Sequence, residues 1–116
     1  MGRYYTGDIE GKFLFAMQPS DAADRFGVSG NQANLFYCFG EENLTEVEEE
    51  LRNIAKSLGD KFSIVLRLLN HGFCDDDLKR LGVSEDDIRE IADFDLGLKI
   101  RRCIKLNGYC QFEAEL

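Results

Sequence analysis

Apolar residues and glycines occupy every second position near the beginning of the chain. These positions are Tyr5, Gly7, Ile9, Gly11, Phe13, Phe15 and Met17. Strict alternation is typical of a strand with one buried face, so we expect the odd-numbered side chains to face a core. The Glu10-Gly11 pair interrupts the pattern, and a glycine there can supply the positive φ of a turn. The segment is predicted to form either a hairpin with a three-residue loop, in which Ile9 pairs with Phe13, or one long bent strand.

Two later segments also have the character of strands. Residues 35–39 are apolar on both faces, which is typical of a buried, central strand. Residues 109–116 alternate instead, and they predict a terminal strand that returns to the sheet. The side chains expected to face inward there are Cys110, Phe112, Ala114 and Leu116, and those expected to face outward are Gln111, Glu113 and Glu115.

The clearest helix signal lies between residues 45 and 58. Thr45 and Glu48 have the spacing of a capping box, in which the hydroxyl accepts from the amide of residue 48 and the carboxylate reaches back. Apolar residues follow at helical spacing, and these are Val47, Leu51, Ile54 and Leu58. Gly59 is predicted to end the helix, and Glu48 is expected to pair with Arg52 one turn later.

Two more segments are predicted to be helical on weaker signals. Ser20 can cap a short helix over residues 21–26. Residues 61–70 fit both a helix and a strand by their apolar spacing. Asp60 as a cap and Gly72 as a stop favour the helix.

The last helices lie between residues 75 and 107. A short helix is expected over residues 75–81, and Ser84 with Asp87 is predicted to open a second one. This helix is expected to continue, with a kink near residues 93–95, until Asn107.

Strands at both ends of the chain with helices between them predict an α+β fold. We expect residues 1–116 to form a single domain with a small, mostly antiparallel sheet. The sheet would consist of the N-terminal hairpin, the central strand and the C-terminal strand, with the helical block packed on one face.

The net charge of −8 is concentrated in the middle of the chain. Residues 41–60 carry two basic and seven acidic side chains. Direct binding to nucleic acid or to an anionic membrane needs a positive field, so both are disfavoured. A partner protein with a basic surface is the natural complement.

Few residues point to catalysis. His71 is the only histidine, and it falls at a predicted helix end, where its charge would suit the helix dipole. The four cysteines form no C-x-x-C pair, so they predict buried, reduced thiols and no zinc site. The acidic runs 75–77 and 85–87 are consecutive and begin helices, which indicates capping and not calcium binding. We therefore expect no catalytic residues, no metal site and no cofactor, and a binding role.

Two groups of residues are candidates for that binding role. The first is an acidic strip without basic partners at helical spacing, formed by Glu41, Glu42, Glu46 and Glu50. The second is the polar face of the hairpin, formed by Tyr4, Asp8, Glu10 and Lys12 beside Arg3. Tyrosine, arginine and paired charges on a rigid strand favour recognition.

Both ends of the chain carry a resemblance to known sequences. The opening M-G-R-Y-Y-T-G-D-I-E-G-K-F, the following F-A-M-Q-P-S-D-A-A-D-R-F-G and the ending C-Q-F-E-A-E-L resemble a family of small uncharacterised proteins of bacteriophages and large DNA viruses. The resemblance covers roughly the first 27 residues and the last seven, and it carries no activity. It implies a viral accessory protein that works in the cytoplasm of the host cell.

Three functions are compatible with these observations. The leading hypothesis is a monomer or small homo-oligomer that inhibits a host defence protein, for example a CRISPR nuclease, by covering its nucleic-acid-binding surface. The second is a protein that binds or degrades a small ligand such as a nucleotide signal. Its pocket would lie between the hairpin and the helices and would use Tyr4, Tyr5, Asp8, Glu10 and Lys12. The third is a structural component of a virion.

Overall fold

A computed structural model describes residues 3–14, 17–30 and 35–115 of the chain. The strands are β1 (Tyr4–Gly7), β2 (Gly11–Lys12), β3 (Phe36–Gly40) and β4 (Tyr109–Ala114). The α-helices are α1 (Leu44–Leu58), α2 (Phe62–His71), α3 (Asp75–Leu81) and α4 (Glu85–Asn107). Shorter 3-10 helices span Ala22–Phe26, Glu41–Asn43 and Gly59–Lys61. The predicted α+β class is confirmed, and so is the helical state of residues 61–70.

The four strands form an antiparallel sheet in the order β2-β1-β4-β3. β4 is therefore a central strand, and it joins the N-terminal hairpin to β3. The strand predicted at residues 35–39 forms as β3, but the prediction that it is central and largely buried was wrong. β3 lies at the edge, and its side chains alternate: Tyr37 and Phe39 are buried, whereas Phe36 and Cys38 are exposed.

The hairpin forms, but its register differs from the predicted one. Tyr4 pairs with Lys12 and Tyr5 with Gly11, so Ile9 does not pair with Phe13. A Cβ at Gly11 would overlap the Tyr5 hydroxyl and the Lys99 ammonium. Because glycine has no side chain, the backbone of β2 can lie close to these two groups. The inward direction predicted for the odd-numbered residues is confirmed for Tyr5, Ile9 and Phe13, while Phe15 lies outside the described residues.

The helices cover one face of the sheet. The core between the two layers contains the inward aromatic rings of the strands, and the Tyr37 and Phe112 rings stack at 5.2 Å between centroids. From the other side α4 contributes buried residues at helical spacing, which are Ile88, Ile91, Ala92, Leu96, Ile100, Cys103 and Ile104. The outward side chains of β4 are exposed, as alternation predicts, and Leu116 lies outside the described residues.

Helix α4 is one continuous element of 23 residues and closes on Gly108. Its helical state is unbroken at residues 93–95, and the kink expected there stays a prediction. Gly97 lies where α4 comes closest to its neighbours, because a Cβ there would overlap the rings and methyls of Phe26 and Leu51. The absence of a side chain at this position brings α4, α1 and the 3-10 helix Ala22–Phe26 together.

The predicted helix caps had mixed outcomes. The Ser84 hydroxyl accepts from the Asp87 amide and the Asp87 carboxylate accepts from the Ser84 amide, as expected. The Thr45 capping box was wrong, because α1 begins at Leu44 and the Asn43 side chain accepts from Gly40 N–H.

A second predicted cap, Ser20, was also wrong. Its hydroxyl accepts from the Arg3 guanidinium at 2.6 Å and makes no cap hydrogen bond to the 3-10 helix Ala22–Phe26. The hydroxyl therefore links that segment to the beginning of the chain.

Within the ranges that the structure describes, no helix combines the length and the apolar character needed to cross a membrane.

Candidate partner-binding surface

Three of the four predicted acidic-strip residues are exposed to solvent. Glu41 and Glu42 lie in the 3-10 turn that follows β3, and Glu46 lies in the first turn of α1. Glu49 shares the same side of α1, is equally exposed and was missed by the sequence reasoning. Among the described residues, none forms a salt bridge with these four carboxylates. We define Glu41, Glu42, Glu46 and Glu49 as the acidic strip from here on.

Glu50 does not belong to this surface, which corrects the prediction. Its carboxylate accepts from the Arg25 guanidinium at 2.7 Å, and both side chains are largely withdrawn from solvent. Glu48 is likewise paired across elements, with Arg101 at 2.8 Å and Lys105 at 3.8 Å, instead of with Arg52. The hydrogen bond from Arg101 lowers the pKa of Glu48.

Arg25 holds three carboxylates from two helices. Besides Glu50 of α1, it contacts Glu90 at 2.9 Å and Asp93 at 2.7 Å, both on α4. Burial opposes its charge, but the three carboxylates outweigh that effect and raise the pKa of Arg25. We call these four residues the Arg25 cluster; it fixes α1 against α4 and so sets where the acidic strip lies.

Asp93 is the least expected member of the cluster. It is 4% exposed, and it accepts from Arg25 and from the Gln18 side-chain amide at 2.9 Å. Burial raises the pKa of Asp93, while the hydrogen bonds from Arg25 and Gln18 act in the opposite direction. The sequence did carry a signal for the burial of Asp93. Asp93 lies three residues before Leu96 and seven before Ile100, so helical spacing places it on the apolar face of α4.

The polar face of the hairpin is only partly free. Tyr4, Glu10 and Lys12 are exposed. Asp8 is exposed as well, but its carboxylate accepts from Gln111 N–H of β4 at 2.9 Å. Arg3 turns inward, where it donates to Ser20 and to the Gln18 carbonyl and packs 5.5 Å above the Phe13 ring.

The hairpin and the acidic strip lie at opposite edges of the sheet. The hairpin contributes β2 and β1, whereas Glu41 and Glu42 follow directly after β3 at the other edge. The two predicted groups therefore do not form one surface.

A cavity of about 450 Å³ lies between the hairpin and helices α2 and α4. Its apolar lining includes Phe13, Leu66 and Leu69. Of the five residues predicted to line such a pocket, Tyr5 and Lys12 do so. The remaining lining residues are Leu14, Gln18, Asn70, Ala92 and Asp95.

Tyr5, which lines this cavity, is hydrogen-bonded to Lys99 of α4. The Tyr5 hydroxyl accepts from Lys99 Nζ at 2.8 Å, and Lys99 also lies 3.4 Å from Asp95. Burial raises the pKa of Tyr5 although Lys99 opposes it. Burial alone would lower the pKa of Lys99, but the contacts with Tyr5 and Asp95 outweigh burial, and the net effect is a raised pKa. A neutral phenol beside a charged ammonium suits positioning and gives no base for catalysis at neutral pH.

The remaining candidates for chemistry have structural places. His71 ends α2, and Asp77 and Asp87 cap α3 and α4. Cys103 and Cys110 are buried thiols as predicted, whereas Cys38 and Cys74 are exposed, which corrects the expectation for two of the four. In residues 3–14, 17–30 and 35–115, no group of three or more histidine, cysteine or acidic side chains is arranged so that it could hold a metal ion.

Comparison of the chain with protein-family models, with curated proteins and with solved structures gave no match. The resemblance of the two ends of the chain to small viral proteins stays a prediction.

Proposed function

We propose that this protein is an interaction module that binds a basic surface of a partner protein through its acidic strip. One observation carries the proposal: Glu41, Glu42, Glu46 and Glu49 are exposed and have no counterion among the described residues. Neighbouring carboxylates such as Glu48 and Glu50 are each paired with an arginine. The strip is therefore a local excess of negative charge along the 3-10 turn Glu41–Asn43 and the first turns of α1.

The partner that fits such a strip is a protein that otherwise binds nucleic acid. Duplex DNA presents one phosphate charge per roughly 1.7 Å of its axis, and closely spaced carboxylates can occupy the same lysine and arginine side chains. The resemblance to viral proteins favours a host defence protein in the host cytoplasm, such as a CRISPR nuclease. Occupation of its basic surface by the strip would inhibit it by excluding the nucleic acid.

The test is capture of host proteins on the immobilised chain at about 50 mM and about 200 mM salt, since ionic contacts to a phosphate-binding surface weaken steeply over this range. We expect a nucleic-acid-binding protein to be retained at the lower salt and displaced by added DNA. The variant Glu42→Lys/Glu46→Lys should not retain this protein. The matched control Asp75→Lys/Asp76→Lys changes the net charge equally on α3 and should retain it.

Equal retention by all three forms of the chain would refute the role of the strip. The circular dichroism spectra of both variants must match that of the unaltered protein, because lysine in the first turn of a helix opposes the helix dipole. This check separates loss of binding from loss of the fold.

A second candidate function is favoured by the cavity beneath the hairpin. Its volume of about 450 Å³ lies within the range of small-molecule sites, roughly 300–1,000 Å³. Lys12 and Asn70 in its lining would orient a ligand with an anionic group, and the apolar lining residues would hold a planar ring. A nucleotide signal has both features.

Thermal unfolding in the presence of cyclic nucleotides tests this second candidate. A ligand at 100 times its dissociation constant stabilises the folded state by about 2.7 kcal/mol. Leu69→Trp should fill the cavity and remove that stabilisation, whereas Glu42→Lys/Glu46→Lys should leave it unchanged. No stabilisation by any nucleotide would count against this candidate and leave the acidic strip unaffected.

A further inference from the structure

The outer edge of β3 presents backbone groups that point away from the sheet. The Leu35 carbonyl accepts from Ala114 N–H at 3.0 Å, so residues 35, 37 and 39 direct their backbone groups toward β4. Phe36 and Cys38 then direct theirs outward. Gly40 also faces outward, but its N–H is already donated to the Asn43 side chain. Two amides and two carbonyls are thus aligned along this edge.

The two edges of the sheet differ in how they are protected. β2 is only two residues long and carries Lys12, and short charged edges resist strand addition. β3 is five residues long and contains no charged residue and no proline, and its Phe36 side chain is 45% exposed. Among the residues that the structure describes, none pairs with the outer side of β3. This edge therefore has the features of one that accepts a strand.

The acidic strip begins where this edge ends. Glu41 and Glu42 follow β3 directly, and the Glu42 carboxylate lies over Gly40, the last residue of the strand. A segment added to β3 would run into this negative charge. A second copy of the chain would bring the same charge with it, and each copy carries a net charge of −8.

We propose that the outer edge of β3 binds an extended, basic segment of the partner as an added strand. The backbone of this segment would hydrogen-bond to Phe36 and Cys38, an uncharged side chain would lie beside Phe36, and lysine or arginine would meet Glu41 and Glu42. The inference rests on the proposed function, because it names the part of the partner that the acidic strip recognises.

A proline at position 38 isolates the contribution of this edge. Because the Cys38 N–H points outward, Cys38→Pro removes a donor for an added strand and leaves the hydrogen bonds to β4 in place. Cys38→Ser is the matched control, since it changes the side chain and keeps the N–H. Both variants keep the charge of the acidic strip.

The probe is a fluorescein-labelled peptide of four Lys-Val repeats, with four Glu-Val repeats as the charge control. Fluorescence anisotropy gives the affinity. We expect the unaltered chain and Cys38→Ser to bind the basic peptide, and Cys38→Pro to bind it at least about tenfold more weakly. The acidic peptide should not bind. Hydrogen exchange at Phe36 and Cys38 should slow in the complex, while Tyr37 and Phe39 should be slow in both states.

A second peptide keeps the test decisive if Cys38→Pro fails to fold. The basic peptide methylated at every backbone nitrogen has the same charge but cannot donate to a strand, so its affinity for the unaltered chain should fall by a similar factor. Equal affinity of the methylated and unmethylated peptides would refute strand addition.

The remaining outcomes separate the two proposals. If Glu42→Lys/Glu46→Lys weakens peptide binding while Cys38→Pro and backbone methylation do not, the acidic strip acts without the edge and this inference is overturned alone. If the chain sediments as a dimer that Cys38→Pro dissociates and the basic peptide does not bind, a second copy occupies the edge and the inference is equally overturned.

Discussion

Replacement of Arg25 by alanine should destabilise the fold more than any other change to a surface charge. The Arg25 side chain is 27% exposed and contacts Glu50, Glu90 and Asp93 within 2.9 Å. Its removal leaves three carboxylates facing one another. Asp93, at 5% side-chain exposure, would then keep only the Gln18 amide as a partner.

The expected magnitude follows from the burial of Asp93. Removing one partner of a buried ion pair typically costs about 3–5 kcal/mol, because the remaining charge is desolvated without compensation. A small domain has a free energy of unfolding of about 5–15 kcal/mol. Arg25→Ala should therefore remove a large fraction of the stability and leave a protein that folds only marginally.

Urea unfolding followed by circular dichroism measures this effect. The control is Arg80→Ala, whose side chain is 73% exposed and pairs with Asp77 on the same helix. An exposed pair of this kind contributes roughly 0.2–1 kcal/mol. The double variant Arg25→Ala/Asp93→Ala removes the stranded charge and should recover part of the loss. If Arg25→Ala costs no more than Arg80→Ala, the reasoning about the Arg25 cluster is refuted.

The pH dependence of the Arg25→Ala variant gives an independent check. Burial already raises the pKa of Asp93, and the hydrogen bond from Arg25 counteracts part of that rise. Removal of Arg25 should therefore raise the pKa of Asp93 further. An acid whose native pKa is raised costs stability when it is ionised, and this cost disappears as the pH falls toward the unfolded value of about 3.9. The difference between the variant and the unaltered protein should therefore be smaller at about pH 4 than at about pH 7.

Three further predictions concern other parts of the fold. Asp87→Asn should destabilise the protein at neutral pH by roughly 0.3–1 kcal/mol, because it removes a negative charge from the first turn of α4 and keeps a side-chain oxygen that can accept from Ser84 N–H. Although burial opposes it, the hydrogen bond from the Ser84 amide lowers the pKa of Asp87, so the deficit should vanish as the pH falls through that lowered pKa in acid unfolding curves. Gly97→Ala should cost roughly 1–3 kcal/mol in urea unfolding, because its Cβ would lie 2.5 Å from the Phe26 ring; an unchanged midpoint would contradict the close packing of α4. A thiol reagent should modify Cys38 and Cys74 rapidly and the two buried cysteines only after unfolding, and rapid reaction of all four would contradict their burial.

The local elements were predictable because their signals are local. Alternation in residues 109–115 and helical spacing from Ile88 to Ile104 reflect which side of an element faces the core, and each element carries that record in its own residues. The edge position of β3 leaves no such record. Phe36 and Cys38 are apolar although they face solvent, so the segment has the composition of a buried strand.

The candidate site was less predictable because its ion pairs join distant parts of the chain. Helical spacing identifies partners three or four residues away, and Glu50 has none there. Its partner is Arg25, which lies 25 residues earlier in the chain. Glu48 behaves in the same way, since it prefers Arg101 to the nearby Arg52. Which carboxylates remain free to meet a partner is thus decided by tertiary packing.

The central place of β4 sets the order in which the fold can form. β4 follows every other element in the chain, yet both β1 and β3 pair with it. During synthesis α1 to α4 can gather while β1 and β3 still lack their common neighbour. The sheet therefore closes through contacts that span more than a hundred residues, a loop closure that slows folding. Until then both strands are exposed to chaperones and to other nascent chains.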